Sequence, residues 1–428
     1  MRNLLGRYGS RTFSSLRVAN YRLYFTGQSI SLAGTWMQTT AQSWLVLTLT
    51  HSSTDLGLVV AIQTLPVLLL APYGGVVADR VDKRRLMVVL QSLMGVQALA
   101  LGLLTVLGAV QFWEVCALAA VLGLNNTFEN PSRQAFIREM VGREELRNAV
   151  SLNSVTSNAA RAVGPALAGV LIATVGDGVC FLLNAASFIA VVTSLLVMDR
   201  SALRPSTPIP KEKGQLREGL AYASRTREIA VPLVMMGLVG MLAYEFQVSL
   251  PVLAERTFHG GSEAYGFLTG AMGLGAVVGG LITASRGRTG IRPMLAASGG
   301  FGLAILFTAL SPVLLLSYVG MLFVGYASVA FVATGNSTIQ LSSAPTMRGR
   351  VLSLWQLAFQ GTTPIGGPVI GWVIAESDPR VGLVVGAASC LVAAAAGAAL
   401  ARRLPSSPPL AGTGRLLAGD AAGGDRAA

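Results

Sequence analysis

Apolar stretches of about 20 residues recur along this whole 428-residue chain, and they restrict its fold more than any other feature. A stretch of that length crosses the hydrocarbon core of a bilayer when it is helical. Lipid offers no hydrogen-bond partners to a backbone, so the stretches are expected to be helices. The short alternating segments of a membrane barrel are not seen in the sequence. We therefore predict an all-α integral membrane protein.

The apolar stretches predict twelve transmembrane helices in two pseudo-symmetric six-helix halves. The N-terminal half covers 1–199, a linker rich in Pro, Lys and Arg covers 200–228, and the second half covers 229–401. The Ala/Gly/Pro-rich tail, 402–428, is expected to be disordered. The twelve predicted helices are roughly 22–48, 54–78, 86–108, 111–135, 148–175, 178–199, 229–252, 263–285, 292–311, 313–338, 349–375 and 380–401.

Glycine and proline positions repeat between the two halves. Gly164 and Gly366 are separated by 202 residues, and so are Gly169 and Gly371. Corresponding Gly/Pro breaks in two halves are typical of transporters whose pathway lies between the repeats. An alternative is that Gly and Pro are simply frequent in membrane helices. The predicted helix-kink motif consists of Gly164, Pro165, Gly169, Gly367, Pro368 and Gly371.

The basic residues lie almost entirely on one side of the predicted helices. Of the 32 Lys and Arg residues, 29 fall in the termini, the linker or connections on the same side, and only Arg256 and Arg380 fall on the other. This bias predicts cytoplasmic termini and a cytoplasmic linker. It also accounts for the formal net charge of +12 without a nucleic-acid partner. No cleavable signal peptide is evident before the first apolar stretch.

The connection after the second predicted helix carries a recognisable charge pattern. It resembles the signature of the major facilitator superfamily, Gly-x-x-x-Asp-Arg-x-Gly-Arg-Arg, except that Asp82 stands where the pattern has Gly. The resemblance implies a latch between the halves that biases an inward/outward equilibrium. The alternative is that the basic run only sets topology. The predicted latch residues are Gly75, Asp79, Arg80, Lys83 and Arg84.

Two longer segments carry a narrower resemblance. Residues 161–169 resemble the fifth-helix antiporter motif Gly-Pro-x-x-Gly-Gly, with Ala168 in place of its first trailing Gly. Residues 27–85 and 124–188 look like the enterobactin-exporter-like and multidrug efflux branch of the superfamily. This resemblance implies export of a bulky, mostly apolar small molecule such as a siderophore, antibiotic or drug. A packing kink without directional meaning is the alternative for the Gly-Pro pair.

Three ionisable residues fall at or near membrane depth and are the proton-coupling candidates. Glu129 and Arg161 are expected to face the cavity and pair with each other, because either alone would be costly in lipid. A purely structural ion pair is the alternative. Glu245 is the second proton candidate, unless it lies at the outer end of its helix in water. His51 and His259 fall in external connections, which argues against a histidine relay.

The first predicted helix has a polar and aromatic face but no acidic residue. The sequence of this helix therefore does not identify the ion that drives transport. Trp36 alternatively serves only packing. We find no H-E-x-x-H, P-loop or cysteine framework, and we expect no cofactor, no metal and no enzymatic activity. The cavity-lining candidates are Gln28, Trp36, Gln38 and Gln42.

The sequence thus predicts a secondary active exporter that works by alternating access, with protons as the expected counter-ion. Its partners would be a small-molecule substrate, protons and the lipid bilayer of a bacterial cytoplasmic membrane, and it is expected to be a monomer. Two alternatives remain open. The same fold could import a nutrient, or the chain could be a membrane sensor that binds a ligand without transporting it.

Overall fold

The computed structural model describes residues 13–204, 215–344 and 347–404, and every regular element among them is helical. Nine helical stretches among the described residues are long and apolar enough to cross a membrane, with the interrupted stretch Arg227–Thr257 counted as one. The helix Phe112–Val175 contains two crossings. Its second crossing makes ten. The polar first helix, Ala19–Thr50, and the two-piece helix formed by Arg348–Gln360 and Thr363–Glu376 make twelve, which confirms the predicted fold class.

The crossings are numbered here as spans 1 to 12. Most are single helices, whereas spans 7 and 11 each consist of two pieces. Span 1 is Ala19–Thr50, span 2 Ser53–Arg80, span 3 Lys83–Val106, spans 4 and 5 together Phe112–Val175, span 6 Asp177–Val197, span 7 Arg227–Leu242 with Phe246–Val252, span 8 Ser262–Arg286, span 9 Ile291–Leu310, span 10 Leu314–Ser342, span 11 Arg348–Gln360 with Thr363–Glu376, and span 12 Pro379–Arg403.

The turn between spans 4 and 5 is tighter than predicted. The sequence predicted a connection between residues 135 and 148, but both helices continue into it and only Gly142 leaves the helical region, with φ 70° and ψ −173°. Glycine adopts this left-handed φ without a steric penalty. A Cβ at Gly142 would also lie 2.3 Å from Nη1 of Arg204. The chain therefore turns from span 4 into span 5 at Gly142 alone, without a separate loop.

Two spans are broken where the sequence predicted continuous helices. Span 7 is interrupted at residues 243–245, between Leu242 and Phe246, and a π-helical turn, Leu253–Thr257, follows its second piece. Span 11 is interrupted at residues 361–362. Pro165, where a kink was predicted, lies inside span 5 without interrupting the helix, and the one non-helical residue within Phe112–Val175 is Gly142.

Each half is a packed bundle of six spans. In the first half, span 1 packs on spans 5 and 6, and span 3 packs on span 6. In the second half, span 10 packs on spans 8 and 9, and span 12 packs on spans 7 and 9. The halves meet mainly along two helix pairs, span 5 with span 8 and span 2 with span 11. We call these two lines of contact the seam.

The bundle has two ends. The linker face is the end where span 6 finishes and span 7 begins, and the other end is called the opposite face. A short helix of the predicted linker, Gln215–Arg225, lies at the linker face, where Glu218 pairs with Arg350 of span 11. Residues 205–214 of the linker and 405–428 of the predicted tail lie outside the described residues, and the first two tail residues continue span 12.

Candidate functional site

The seam contains two equivalent hydrogen bonds from serine to glycine carbonyl. Ser53 Oγ, at the start of span 2, donates to the Gly371 carbonyl of span 11 at 2.8 Å. Ser262 Oγ, at the start of span 8, donates to the Gly169 carbonyl of span 5 at 3.1 Å. Both serines are buried. Each half thus donates one hydrogen bond to the other, as the pseudo-symmetry requires.

Glycines let the backbones of the seam approach closely. A Cβ added at Gly57 would lie 2.4 Å from the Gly367 carbonyl oxygen, and one added at Gly266 would lie 2.6 Å from the Pro165 carbonyl oxygen. Both contacts are backbone against backbone, so no side chain could move aside. Among the helix-kink residues, Gly164 differs, because it packs against span 1 rather than against the second half.

These contacts lie toward the opposite face. Trp44 of span 1 stacks on Tyr265 of span 8 with ring centroids 6.3 Å apart. Near the end of span 1, the His51 carbonyl accepts a hydrogen bond from Arg256 Nη2 at 2.7 Å. At the linker face, the ion pairs found among the described residues stay within one half or bind the linker helix. The halves are therefore joined most extensively at the opposite face.

Glu245 is a buried carboxylate in the break of span 7. Only 3% of the residue is exposed, and its Oε1 has no hydrogen-bond partner among the described residues. The carboxylate lies beside the second piece of span 11, because a Cβ at Gly366 would be 2.9 Å from Oε1 and one at Gly367 would be 3.6 Å from Oε2. The same Gly367 contacts Gly57 across the seam. The alternative of a water-exposed outer residue is therefore wrong.

Arg161 lies about halfway along span 5. Its guanidinium carbon is 4.8 Å from the centroid of the Trp36 ring, within the range of a cation–π interaction. Its Nε is buried without a hydrogen-bond partner, and no ion pair to Arg161 exists within the described part of the chain. The backbone of Arg161 contacts span 8, where a Cβ at Gly273 would lie 2.7 Å from its carbonyl oxygen.

The predicted pair of Glu129 and Arg161 does not form. Glu129 Oε1 instead lies 3.0 Å from Nε of Arg133, one helical turn further along span 4, and accepts a hydrogen bond from Gln91 Nε2 at 3.2 Å. Residues four apart share a helix face, so Arg133 reaches Glu129 from within span 4. Neither version of the predicted pair is therefore present, and the charge of Glu129 is compensated within its own helix by Arg133.

Two of the three glutamines predicted to line the cavity, Gln38 and Gln42, form hydrogen bonds inside the first half. Gln38 is turned away from the second half, because it donates to Gln97 Oε1 at 3.0 Å and accepts from Asn184 Nδ2 at 2.6 Å, joining spans 1, 3 and 6. Gln42 donates to Gln63 Oε1 of span 2 at 3.1 Å. Gln28 is buried with an unpartnered Oε1. Of the cavity-lining candidates, Gln38 is thus placed in the interior of the first half.

The predicted latch is bound within the first half in this structure. Lys83 Nζ lies 2.8 Å from Glu139 Oε1, and both side chains are less than 10% exposed. Arg84 donates to the last turn of span 6, from Nε to the Leu195 carbonyl at 2.6 Å and from Nη2 to the Leu196 carbonyl at 2.9 Å. These bonds satisfy carbonyls that a helix end leaves open.

The remaining latch residues form the turn between spans 2 and 3. Arg80 is exposed at the end of span 2, and Asp82 caps span 3 by accepting from the Arg85 backbone N–H at 2.9 Å. Gly75 and Asp79 belong to the helix Ser53–Arg80, but their surroundings lie outside the described part of the structure. No contact of the described latch side chains with the second half is seen among the described residues.

The sequence profile of the transmembrane secretion effectors, a group within the major facilitator superfamily, matches residues 10–411, nearly the whole chain. The chain belongs to this transmembrane secretion effector family. Its members are membrane transporters, which confirms the expected class and the expectation that the protein is not an enzyme. A membrane transporter in turn implies a small-molecule substrate.

Two relatives of this transmembrane secretion effector are named as transporters of siderophores. The staphyloferrin A transporter of Staphylococcus aureus is 25% identical over 351 residues, covering 81% of this chain and 87% of the relative. The enterobactin exporter of Escherichia coli is 26% identical over 368 residues, covering 84% and 86%. The chain is thus a multi-pass membrane transporter related to siderophore transporters.

Solved structures agree on the fold. The nucleoside transporter NupG superposes with a TM-score of 0.72 at 14% identity, covering 89% of this chain and 99% of its own. A bacterial homologue of the lysosomal transporter Spinster, in an inward-facing and unoccupied conformation, superposes with a TM-score of 0.70 at 15% identity, covering 90% and 97%. At such low identity these likenesses establish the fold alone.

Several residues of the seam were not predicted from the sequence. Ser53 and Gly57 begin span 2 with the pattern Ser-x-x-x-Gly, and Ser262 and Gly266 begin span 8 with the same pattern. That repeat was a usable signal, because it places a small donor and a close contact at equivalent positions of both halves. No sequence signal pointed to the break at residues 243–245, which contain neither Gly nor Pro.

Proposed function

We propose that this transmembrane secretion effector exports a small, largely apolar molecule, of the siderophore, antibiotic or drug-like class, in exchange for protons. Glu245 carries the proton. The observation that carries the proposal is the position of this buried carboxylate, in the break of span 7 and beside the seam. A carboxylate in such a place is stable when protonated and costly when ionised.

The seam couples this carboxylate to the movement of the halves. Gly367 contacts Gly57 on one side and the Glu245 carboxylate on the other. Separation of the halves along span 2 and span 11 removes the cover from the carboxylate and gives it access to water. Proton entry from the outside then allows the seam to close again, and proton release on the cytoplasmic side accompanies cargo binding.

The direction follows from the charge distribution and the relatives. The 29 basic residues on the side of the termini orient the linker face toward the cytoplasm of a bacterial cell. The halves are joined at the opposite face, so cargo enters from the cytoplasmic side. The resemblance to the enterobactin exporter and the Gly-Pro pair at Gly164 support export over uptake. The protein acts as a monomer of two six-helix halves, 1–199 and 229–401.

The test uses inside-out membrane vesicles with an acidic interior and a pH-sensitive dye. A panel of siderophores, antibiotics and drug-like molecules is added to vesicles carrying the unsubstituted protein, Glu245→Gln, Glu129→Gln or Glu263→Gln. Glu263 is an exposed carboxylate at the start of span 8 and serves as the matched control. We expect some cargo to dissipate the pH gradient with every protein except Glu245→Gln.

Each alternative has its own signature in the same vesicles. Equal dissipation by the unsubstituted protein and Glu245→Gln removes Glu245 as the proton carrier. Radiolabelled cargo that accumulates inside these inverted vesicles supports export, whereas cargo driven out of preloaded vesicles supports import. Binding of cargo without flux in either direction supports a sensor and refutes the transport proposal.

A further inference from the structure

Arg161 is a cation at membrane depth, and no anion among the described residues compensates it. The other buried basic side chains near the first half have partners: Lys83 pairs with Glu139, and Arg133 pairs with Glu129. Arg161 makes no hydrogen bond or ion pair within the described residues, and its Nε is fully buried. A charged group placed there is expensive unless it has a partner in some functional state.

The surroundings of Arg161 define what such a partner would contact. The indole of Trp36 lies under the guanidinium at 4.8 Å and forms a flat apolar surface. Span 8 passes so close at Gly273 that a Cβ there would lie 2.4 Å from the Cα of Ala162. Tyr244, in the break of span 7, lies within electrostatic range of the guanidinium. Three spans therefore converge on this cation, two of them from the second half.

The second half contributes an aromatic cluster at the same level. Tyr244 packs against Phe359 at 5.1 Å and Phe301 at 5.3 Å between ring centroids, and its hydroxyl donates to the Ser328 carbonyl at 3.1 Å. Phe301 is fully buried, so this cluster holds Tyr244 in place rather than forming a surface. The guanidinium of Arg161 and the indole of Trp36 are the groups suited to a molecule with an apolar body and one anionic group.

We infer that Arg161, supported by Trp36, is the binding site for an anionic oxygen group of the cargo, a carboxylate or a comparably acidic oxygen. The guanidinium binds two oxygens side by side, as arginine does with planar anions. The inference rests on the proposed transport function and narrows its cargo to molecules with an apolar body and an anionic group. A neutral cargo would leave the cation uncompensated.

Binding in detergent micelles tests the inference without requiring transport. The probes are 1-naphthoate and 1-naphthamide, which share a flat apolar body and differ in the charge of one group. Isothermal titration measures the affinity of both probes for the unsubstituted protein, Arg161→Gln, Arg161→Lys and Arg227→Gln. Arg227 is the matched control, because its Nε is also buried without a partner but it lies at the linker end of span 7.

We expect naphthoate to bind the unsubstituted protein and Arg227→Gln at least tenfold more tightly than naphthamide. In Arg161→Gln this preference should disappear, because a hydrogen bond to a charged group is lost. Arg161→Lys keeps the charge and should retain an intermediate preference. This variant also reports on the site if Arg161→Gln fails to fold, which thermal unfolding of each variant reveals.

Three outcomes would overturn the inference. They are equal affinity of both probes for the unsubstituted protein, an unchanged preference in Arg161→Gln, and no saturable naphthoate binding at millimolar concentration. None of them depends on Glu245 or on proton flux. Failure of the vesicle experiment with intact naphthoate selectivity would refute proton antiport and leave the anion site standing.

Discussion

Substitution Gly57→Ala tests whether the seam holds the opposite face closed. The added Cβ would lie 2.4 Å from the Gly367 carbonyl oxygen and 2.8 Å from the carbonyl carbon. Both are backbone atoms, and separations under 3.0 Å require that something shift. Spans 2 and 11 must therefore move apart. Overpacking of this kind costs about 1–3 kcal/mol.

That cost applies only while the seam is closed, so it shifts the equilibrium between the two arrangements of the halves. Each 1.4 kcal/mol is about a factor of ten, so the ratio of open to closed opposite face should rise by about 5- to 150-fold. The neighbouring hydrogen bond from Ser53 to Gly371 would lengthen as well. Its loss adds to the same shift.

Spin labels report this change directly. Trp113→Cys and Val313→Cys place labels at exposed positions near the opposite face, one in each half. Pulsed dipolar spectroscopy in detergent should show a longer distance gaining population in Gly57→Ala. The control is Gly237→Ala, because a Cβ at Gly237 meets nothing within 4 Å. Identical distance distributions in Gly57→Ala and the control would refute the role of the seam.

Three further substitutions test individual contacts, each by thermal unfolding in detergent together with the vesicle assay. Glu129→Gln should lower the free energy of unfolding by about 1–3 kcal/mol, because it leaves Arg133 without its carboxylate. Proton coupling should persist in this variant, and lost coupling with normal stability would contradict the prediction. Lys83→Met should cost about 3 kcal/mol, since it breaks a buried ion pair with Glu139, and an unchanged melting temperature would contradict it. Gln38→Leu should lower stability by about 1–3 kcal/mol without altering cargo affinity, because its bonds lie inside the first half; a selective loss of affinity would place it in the cavity instead.

The number and order of the spans could be predicted from the sequence because most spans are long apolar stretches. The helix ends were predicted to within a few residues for most of them, for example 54–78 against Ser53–Arg80. The tight turn at Gly142 was missed because a single left-handed glycine carries little signal beside a charged helical segment. The break in span 7 has no sequence signal of its own, since tertiary packing sets it.

Side-chain partners were predicted less well than helices. Glu129 was assigned to Arg161 across two spans, although Arg133 stood four residues away on the same helix face. Gln38 was assigned to the cavity because the sequence of span 1 does not reveal which face meets spans 3 and 6. A membrane helix contacts protein on several sides, so its polar residues do not identify the pathway without the packing.

The paired serine-to-glycine bonds of the seam have a mechanical consequence. One bond joins spans 2 and 11 and the other joins spans 8 and 5, on the two flanks of the boundary between the halves. Because the two bonds lie on both flanks, breaking one leaves the halves still joined by the other. Both bonds must therefore break before the halves can separate at the opposite face.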